Sequence, residues 1–373
     1  MNQHPEILQR SGQTIAALVA GAAIVGLGTG TREAHETFLL VEHTTRALIE
    51  RGFRVVALLD NQRVGELYDR YVRGEDVDLD ATLAQAWGPW RTAEMRAALV
   101  WLRRFNEGRP DDPVRIVAVD SSRVLPADYD RVVELLTPLD ATAAMRIREL
   151  LDVIRTAHDS GEHVQRARGT HPGTPFVELA RHAQNLAAQL PDGAARDDAL
   201  LLLDAMVEHH ANAIGVGYDA AREERDAAGR LLEHQRRSGE RIVLWEGSAH
   251  VAAHPGGMMG SHLRAALGDG YLAVHITIGR GRIRNLDLPD PDPASLEAVL
   301  LAGGEHRIVD LRARPPVDLA DRLDRPWRTR LVSGVYDPAR DAEHYYDLPS
   351  LTSSFDVVAA IPTVTPAQPL AAS

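Results

Sequence analysis

The sequence predicts an α/β protein: a mainly parallel central sheet flanked by helices, with a large helical lobe over an active-site cleft. Three observations carry this. Across residues 24–120, short apolar runs alternate with amphipathic helical stretches, the pattern of successive strand–helix units. From about 126 to 238 the chain has long helical periodicity and no convincing strand. Strand-like runs then resume from Arg241 onward, so one sheet draws on both ends of the chain. Residues 1–373 therefore read as a single domain, with 126–238 as a helical lobe within it.

Residues 5–20 have the periodicity of an opening helix. Ile24, Val25 and Leu27 then mark a buried strand ending in glycines, where Gly28 and Gly30 permit a sharp turn and a close approach of backbone to a ligand. Thr31 is placed to cap a helix over about 34–51, with Glu33 and Glu36 near its N-terminus and Phe38, Val41, Thr45 and Leu48 on one face. Phe53 to Leu59 is a second strand, closed by Asp60, which either faces the same pocket or caps the following helix. Trp87-Gly-Pro-Trp90 is a turn, Thr92 opens a helix reaching Asn106, and Val114 to Val119 is a third strand ending at Asp120. The helical stretch is broken at Gly169 to Pro175 and at Leu190 to Gly193. Further strands are expected at Arg241 to Trp245, Tyr271 to Ile278, His306 to Leu311 and Phe355 to Ile361. Pro289 to Pro293 is a rigid loop before a short helix at about 294–302, and Pro366 to Ser373 reads as a loose tail.

Composition narrows the function. With 373 residues, 45% of them hydrophobic, the chain can bury a substantial core. A formal net charge of -12 argues against a nucleic-acid or anionic-membrane partner. Every basic residue is arginine, which excludes a Schiff-base lysine. The absence of cysteine excludes disulfides, thiolate metal sites and a cysteine nucleophile, and is compatible with a reducing cytoplasm. The apolar run Ile15 to Gly28 is too short to span a bilayer and lacks the basic flank of a leader.

A second glycine-ended strand, Val243-Leu-Trp-Glu-Gly-Ser-Ala-His-Val251, carries the main chemistry. His250 titrates near neutrality and suits a general acid or base. Glu246 lies at the strand end, and His254 precedes a glycine-rich segment, Gly256 to Gly260, with the composition of a moving loop. Other motifs are absent. A GxGxxG fingerprint would need glycine at Glu33, the Walker lysine is missing, and Ser248 is not in a GxSxG elbow. His209, His210, His250, His254 and His262 form no HExxH or compact ligand spacing, so neither metal nor cofactor is expected. His209 and His210 cannot both face inward from one helix. Arg225-Asp226 reads as a solvated pair.

Several ordered segments together resemble the erythromycin esterase family, from the first strand to Asp356. Its Gly-Leu-Gly-Glu-x-Thr-His-Gly motif with following Glu-Phe is outlined by Gly26-Leu27-Gly28, Thr31, Glu36 and Phe38. Its Trp-Arg-Thr-x-Glu and Trp-Leu-Arg runs match Trp90 to Glu94 and Trp101 to Arg103, and its Arg-Asp matches Arg225-Asp226. Its Trp-Ala-His-Asn-Ala-His-Val resembles Trp245 to Val251, and its Met-Gly-x-x-Leu resembles Met259 to Leu263. The resemblance implies a metal-independent α/β hydrolase with a helical lobe, opening a macrolactone by histidine and glutamate activation of water.

The departures fall on that chemistry. The motif glutamate and histidine are Thr29 and Arg32. The glutamate expected after the second strand is Leu59, with Asp60 one place later, and an expected arginine in the first helix is Val41. In the late motif Gly247 and Ser248 replace histidine and asparagine, leaving His250 in register. The expectation is therefore a repurposed enzyme of polyketide-type metabolism performing cyclisation, elimination or isomerisation on a polyketide or macrolide-like molecule. His250 moves the proton, Arg32 stabilises negative charge, and Glu246, Asp60 or His35 orient them, while Thr29, Trp245, Asp120 and Glu36 contact substrate. A hydrolase with a rearranged set, for instance His250 with His35 and Glu36, and a non-catalytic metabolite-binding protein are the alternatives.

Overall fold

The computed structural model describes residues 4–120, 122–155, 169, 173–213, 216–313, 316–332 and 336–370. By contacts the chain divides into two compact units, one of residues 1–60, 64–120 and 223–373, the other of 61–63 and 121–222.

The first unit is an α/β fold. Its strands are β1 (Ile24–Thr29), β2 (Phe53–Leu58), β3 (Arg115–Ala118), β4 (Arg241–Gly247), β5 (Tyr271–Ile283), β6 (Leu286–Leu288), β7 (Arg307–Asp310), β8 (Trp327–Arg330), β9 (Tyr345–Leu348) and β10 (Val357–Val364). The main sheet runs β3-β2-β4-β1-β5-β10-β7. All neighbours from β3 to β10 are parallel, β7 is antiparallel at one edge, and β6 pairs antiparallel with the end of β5. Every residue of β1 is buried, as a central parallel strand covered on both faces requires. After β1 the chain lays β2 and β3 to one side, returns with β4 between β2 and β1, and continues with β5 on the other side of β1. The carboxyl ends of β1 and β4 thus lie side by side where strand order reverses, the place where open α/β sheets hold ligands.

The expected strands all form within a few residues of their sequence limits. The antiparallel pair of β8 and β9 had no sequence signal, because each strand is only four residues long and lacks a continuous apolar run. Thr31 does not cap the helix His35–Ile49, which starts after Ala34; its hydroxyl accepts instead from Glu33 N at 3.2 Å, closing a local turn. Thr92 does cap the helix Ala93–Asn106, accepting from Met95 N.

The C-terminal stretch is tied down as far as residue 370, unlike the loose tail expected. Ala367 N donates to Glu33 O and Leu370 N to Arg91 O, both at 2.9 Å. Both oxygens of Glu36 accept from Thr365, through N at 2.7 Å and Oγ1 at 2.8 Å. The ordering groups lie hundreds of residues away in sequence, so local composition did not reveal them. Residues 371–373 lie outside the described residues.

The second unit, among the described residues, is built on helices Pro126–Leu136, Ala141–Arg155, Phe176–Ala188 and Ala194–Ala211. Each packs on the next and the fourth returns to the first, around a core including Tyr129, Ile147, Phe176, Leu203 and Met206. His210 is fully buried there, with its Nε2 3.0 Å from Tyr129 OH, and His209 Nδ1 lies 3.2 Å from Ser122 Oγ. The break expected at Gly169 to Pro175 falls partly on 170–172, outside the described residues.

Candidate functional site

Gly28 and Glu246 are register partners in β1 and β4, and Thr29 pairs with Gly247. A single helical turn, Ser248–Val251, follows β4 and sits over Gly28. A Cβ at Gly28 would overlap Val251 and come within 2.8 Å of Ser248 Cα, so glycine is what lets the turn carrying His250 dock on the strand end.

Four charged side chains meet at this point. Arg32 forms an ion pair with Glu246, whose side chain is almost wholly buried. His250 Nε2 stands 3.6 Å from Glu246 Oε1, close for charge interaction and long for a hydrogen bond. On its other side, His250 Nδ1 is 2.5 Å from Glu224 Oε1. Glu224 Oε2 accepts from Met259 N at 2.8 Å, so this carboxylate links the helices Ala220–Ser238 and Met259–Leu267 to the histidine. With Nδ1–H donated to Glu224, Nε2 is the atom free to exchange a proton, the arrangement by which a carboxylate fixes a catalytic imidazole. Burial opposes a charge on His250 and Arg32 adds to that, but Glu246 and Glu224 outweigh them and raise its pKa above the ordinary histidine value.

The Arg32 guanidinium lies 4.9 Å from the centre of the Trp87 ring. Asp60 holds that tryptophan: its Oδ1 accepts from Trp87 N at 3.0 Å and its Oδ2 from Tyr68 OH at 3.2 Å. Trp245 is buried, donates through Nε1 to Thr45 Oγ1 at 2.8 Å, and meets Phe38 edge-to-face at 5.6 Å. Together with Trp90, Phe38 and Val41 it walls a cavity whose polar side is Thr29, Thr31, Arg32 and Glu246.

The fold thus brings Arg32, Glu246 and His250 together, with Thr29 and Trp245 on the adjoining cavity. Asp60 touches the group through Trp87. His35 Nδ1 lies 2.6 Å from Glu94 Oε1, and that hydrogen bond raises the His35 pKa. Glu36 is engaged by Thr365, and Asp120 stands beyond β3, an edge strand two places from β4. Among the described residues, no three His, Asp or Glu side chains are grouped as metal ligands would be.

Two participants escaped the sequence reading. Glu224 was passed over for its neighbours Arg225 and Asp226, which are well exposed and 3.9 Å apart. Its signal was spacing: Ala227, Ala228 and Leu231 lie three, four and seven positions on and are buried with it, and a carboxylate on an apolar helical face needs a partner. The other is His275, fully buried and stacked on Phe355. Its Nδ1 is 2.7 Å from Ser248 Oγ and its Nε2 2.7 Å from Thr329 Oγ1, which donates to Glu297 Oε1 at 2.6 Å. Thr329 spends its proton on Glu297, so Nε2–H donates to Thr329 and Ser248 donates to Nδ1. Burial depresses the His275 pKa to about 3, so this imidazole is neutral and pins the turn that bears His250.

The scaffold has known relatives. A succinoglycan biosynthesis protein matches with a TM-score of 0.64 at 15% identity, covering 96% of this chain and 92% of that one. A Bacillus cereus protein matches with a TM-score of 0.63 at 18% identity over 99% of both chains. The erythromycin esterase EreC, solved as a mutant in an open conformation, matches with a TM-score of 0.57 at 15% identity, covering 95% of this chain and 94% of that one. No curated protein sequence matches. The family model for erythromycin esterase matches residues 49–364, which takes in β2 through β10 and the strand end that bears Glu246 and His250. On that match, over most of its length, the chain belongs to the erythromycin esterase family.

Proposed function

We propose that this protein is an acid/base enzyme of specialised metabolism that rearranges a polyketide-type small molecule without consuming water, by cyclisation, elimination or isomerisation. The observation that carries the reading is the continuous run Arg32–Glu246–His250–Glu224, in which two cations alternate with two carboxylates when His250 is protonated. His250 enters the reaction as the acid. Its Nε2 gives a proton to the oxygen that accumulates electrons, and takes one back from the attacking hydroxyl or the adjacent C–H, so the proton count closes with no water added. Arg32, aimed by Glu246 and Trp87, stabilises negative charge developing on that oxygen. Glu224 holds the imidazole in one tautomer. Cysteine-free chemistry of this kind suits the cytoplasm.

The test uses a β-hydroxy ketone in D2O, followed by NMR, beside a macrolactone. Enzyme-dependent deuterium uptake next to the carbonyl, lost in His250→Gln, with the macrolactone left closed, is the expected result. His250-dependent ring opening would make the protein a hydrolase with a rearranged set. An unchanged probe with both proteins would make it a binding protein.

A further inference from the structure

We infer that the cavity beside Thr29, Arg32 and Glu246 is a seat for an alcohol hydroxyl carried on a neutral, largely hydrocarbon substrate. This rests on the proposed function, whose substrate class it narrows. Three polar atoms of the lining residues, Thr29 Oγ1, Arg32 Nε and Glu246 Oε2, are buried and have no hydrogen-bond partner among the described residues. Thr29 is 8% exposed and Glu246 2%, so water in the bulk does not satisfy them. The cavity that Thr29, Arg32 and Glu246 help to line is about 20 Å³, room for one oxygen atom.

Their chemistry selects the occupant. Arg32 Nε–H only donates, the Glu246 carboxylate only accepts, and Thr29 Oγ1 does either. A single atom that satisfies all three must accept and donate at once, which is what a hydroxyl does. An ether or ketone brings no proton for Glu246. A carboxylate or phosphate brings none either and is repelled by Glu246, and an ammonium offers nothing to Arg32. Phe38, Trp90 and Trp245 complete the walls, so beyond these three atoms what meets the carbon bearing the hydroxyl is mainly apolar. The hydroxyl so held lies beside Glu246, and His250 Nε2 is 3.6 Å from that same carboxylate, so the seat would orient substrate at the proton carrier.

Titration of tryptophan fluorescence tests this, because Trp90 and Trp245 line the seat. The probes are a long-chain β-hydroxy ketone, its methyl ether and a fatty acid of equal length. The hydroxy ketone should bind roughly tenfold or more tighter than the ether, since a site built for a hydroxyl leaves its own polar groups unpaired around an analogue without one. Thr29→Val, which removes one partner and keeps the shape, should erase a large part of that gap, and Glu246→Gln should do so too if it folds. Equal binding of alcohol and ether, tightest binding of the acid, or no binding of the hydroxy ketone to the folded protein overturns the inference. Deuterium uptake that survives such a result leaves the proposed function standing, and hydroxyl selectivity without His250-dependent exchange does the reverse.

Discussion

Replacing Arg32 by Met removes the cation and keeps much of the stem, leaving Glu246 with a side chain 1% exposed and no arginine. Breaking a buried pair from one side costs about 3–5 kcal/mol, because the abandoned charge stays in a poor solvent for it. His250, 3.6 Å away, offers partial compensation, which places the expected loss toward the lower end of that range. Loss of the contact over Trp87 adds about 0.5–1 kcal/mol. All five tryptophans, at 87, 90, 101, 245 and 327, belong to the α/β unit, so their fluorescence reports its unfolding. With a urea slope of about 3 kcal/mol/M, the midpoint should fall by roughly 1 M or more. The double variant Arg32→Met, Glu246→Leu puts an apolar pair in the same space and should recover most of the loss, since such replacements are often neutral. A single-variant cost below about 1 kcal/mol, the value of an exposed pair, or simple additivity in the double variant, would refute the claim that these two charges exist for each other.

His250 has a raised folded-state pKa, so the stability it contributes is complete below about pH 6.5, its unfolded value, and is lost as pH rises through the folded value. His250→Gln should flatten that alkaline fall in urea midpoint, and an unaltered fall would refute the assignment. His275 has the opposite sign: with a folded pKa of about 3 it stays neutral while the unfolded chain takes up its proton, so stability drops as pH falls below about 6.5, by about 1.4 kcal/mol per unit. His275→Asn should be less stable at neutrality and show a shallower acid slope; an unchanged slope refutes the neutral assignment. Gly28→Ala should lose about 1–3 kcal/mol in urea denaturation through collision with Ser248 and Val251. Gly229→Ala, mid-helix with open space around it, should gain about 0.5–1 kcal/mol.

The sheet was legible because its signals are local. The run Ile24 to Leu27 and the run Ile242 to Trp245 are continuous and apolar because both faces of a central parallel strand are buried, and a glycine follows each, Gly28 directly and Gly247 after Glu246. Their convergence was legible only through the motif pattern, since register between residues 28 and 246 is set by the sheet order. Glu224 shows the limit of motif reading: the matched dipeptide beside it drew attention one residue away from the group that touches His250. Asp60 shows another. As an acid at a strand end it resembled a pocket carboxylate or a helix cap, and its bond to Trp87 N joins it to a loop 27 positions on. The relay through His275 was invisible because a histidine in an apolar strand has the same sequence signature whether it is inert or joins two hydroxyl-bearing elements.

The departures from the family's motif pattern at positions 32 and 246 are better understood together than singly. Arginine stands where the motif histidine is expected and glutamate where alanine is, and the two form one ion pair. Either alone would leave a largely buried charge without its main partner, so each is stabilised chiefly by the other. The consequence for chemistry is directional. A histidine at position 32 could give and take protons near neutrality, whereas arginine holds its charge at every working pH and serves only as a fixed positive field. Glu246 is in turn occupied on one oxygen by that arginine, and its other oxygen has no hydrogen-bond donor among the described residues. In the proposed reaction, proton traffic is thereby concentrated on His250 Nε2, with Glu224 behind it and a permanent cation beyond Glu246. One proton carrier beside one fixed charge suits a reaction that moves a proton within a single substrate, and a site with that division of labour should lose its turnover in His250→Gln while Arg32→Gln retains a weakened remnant.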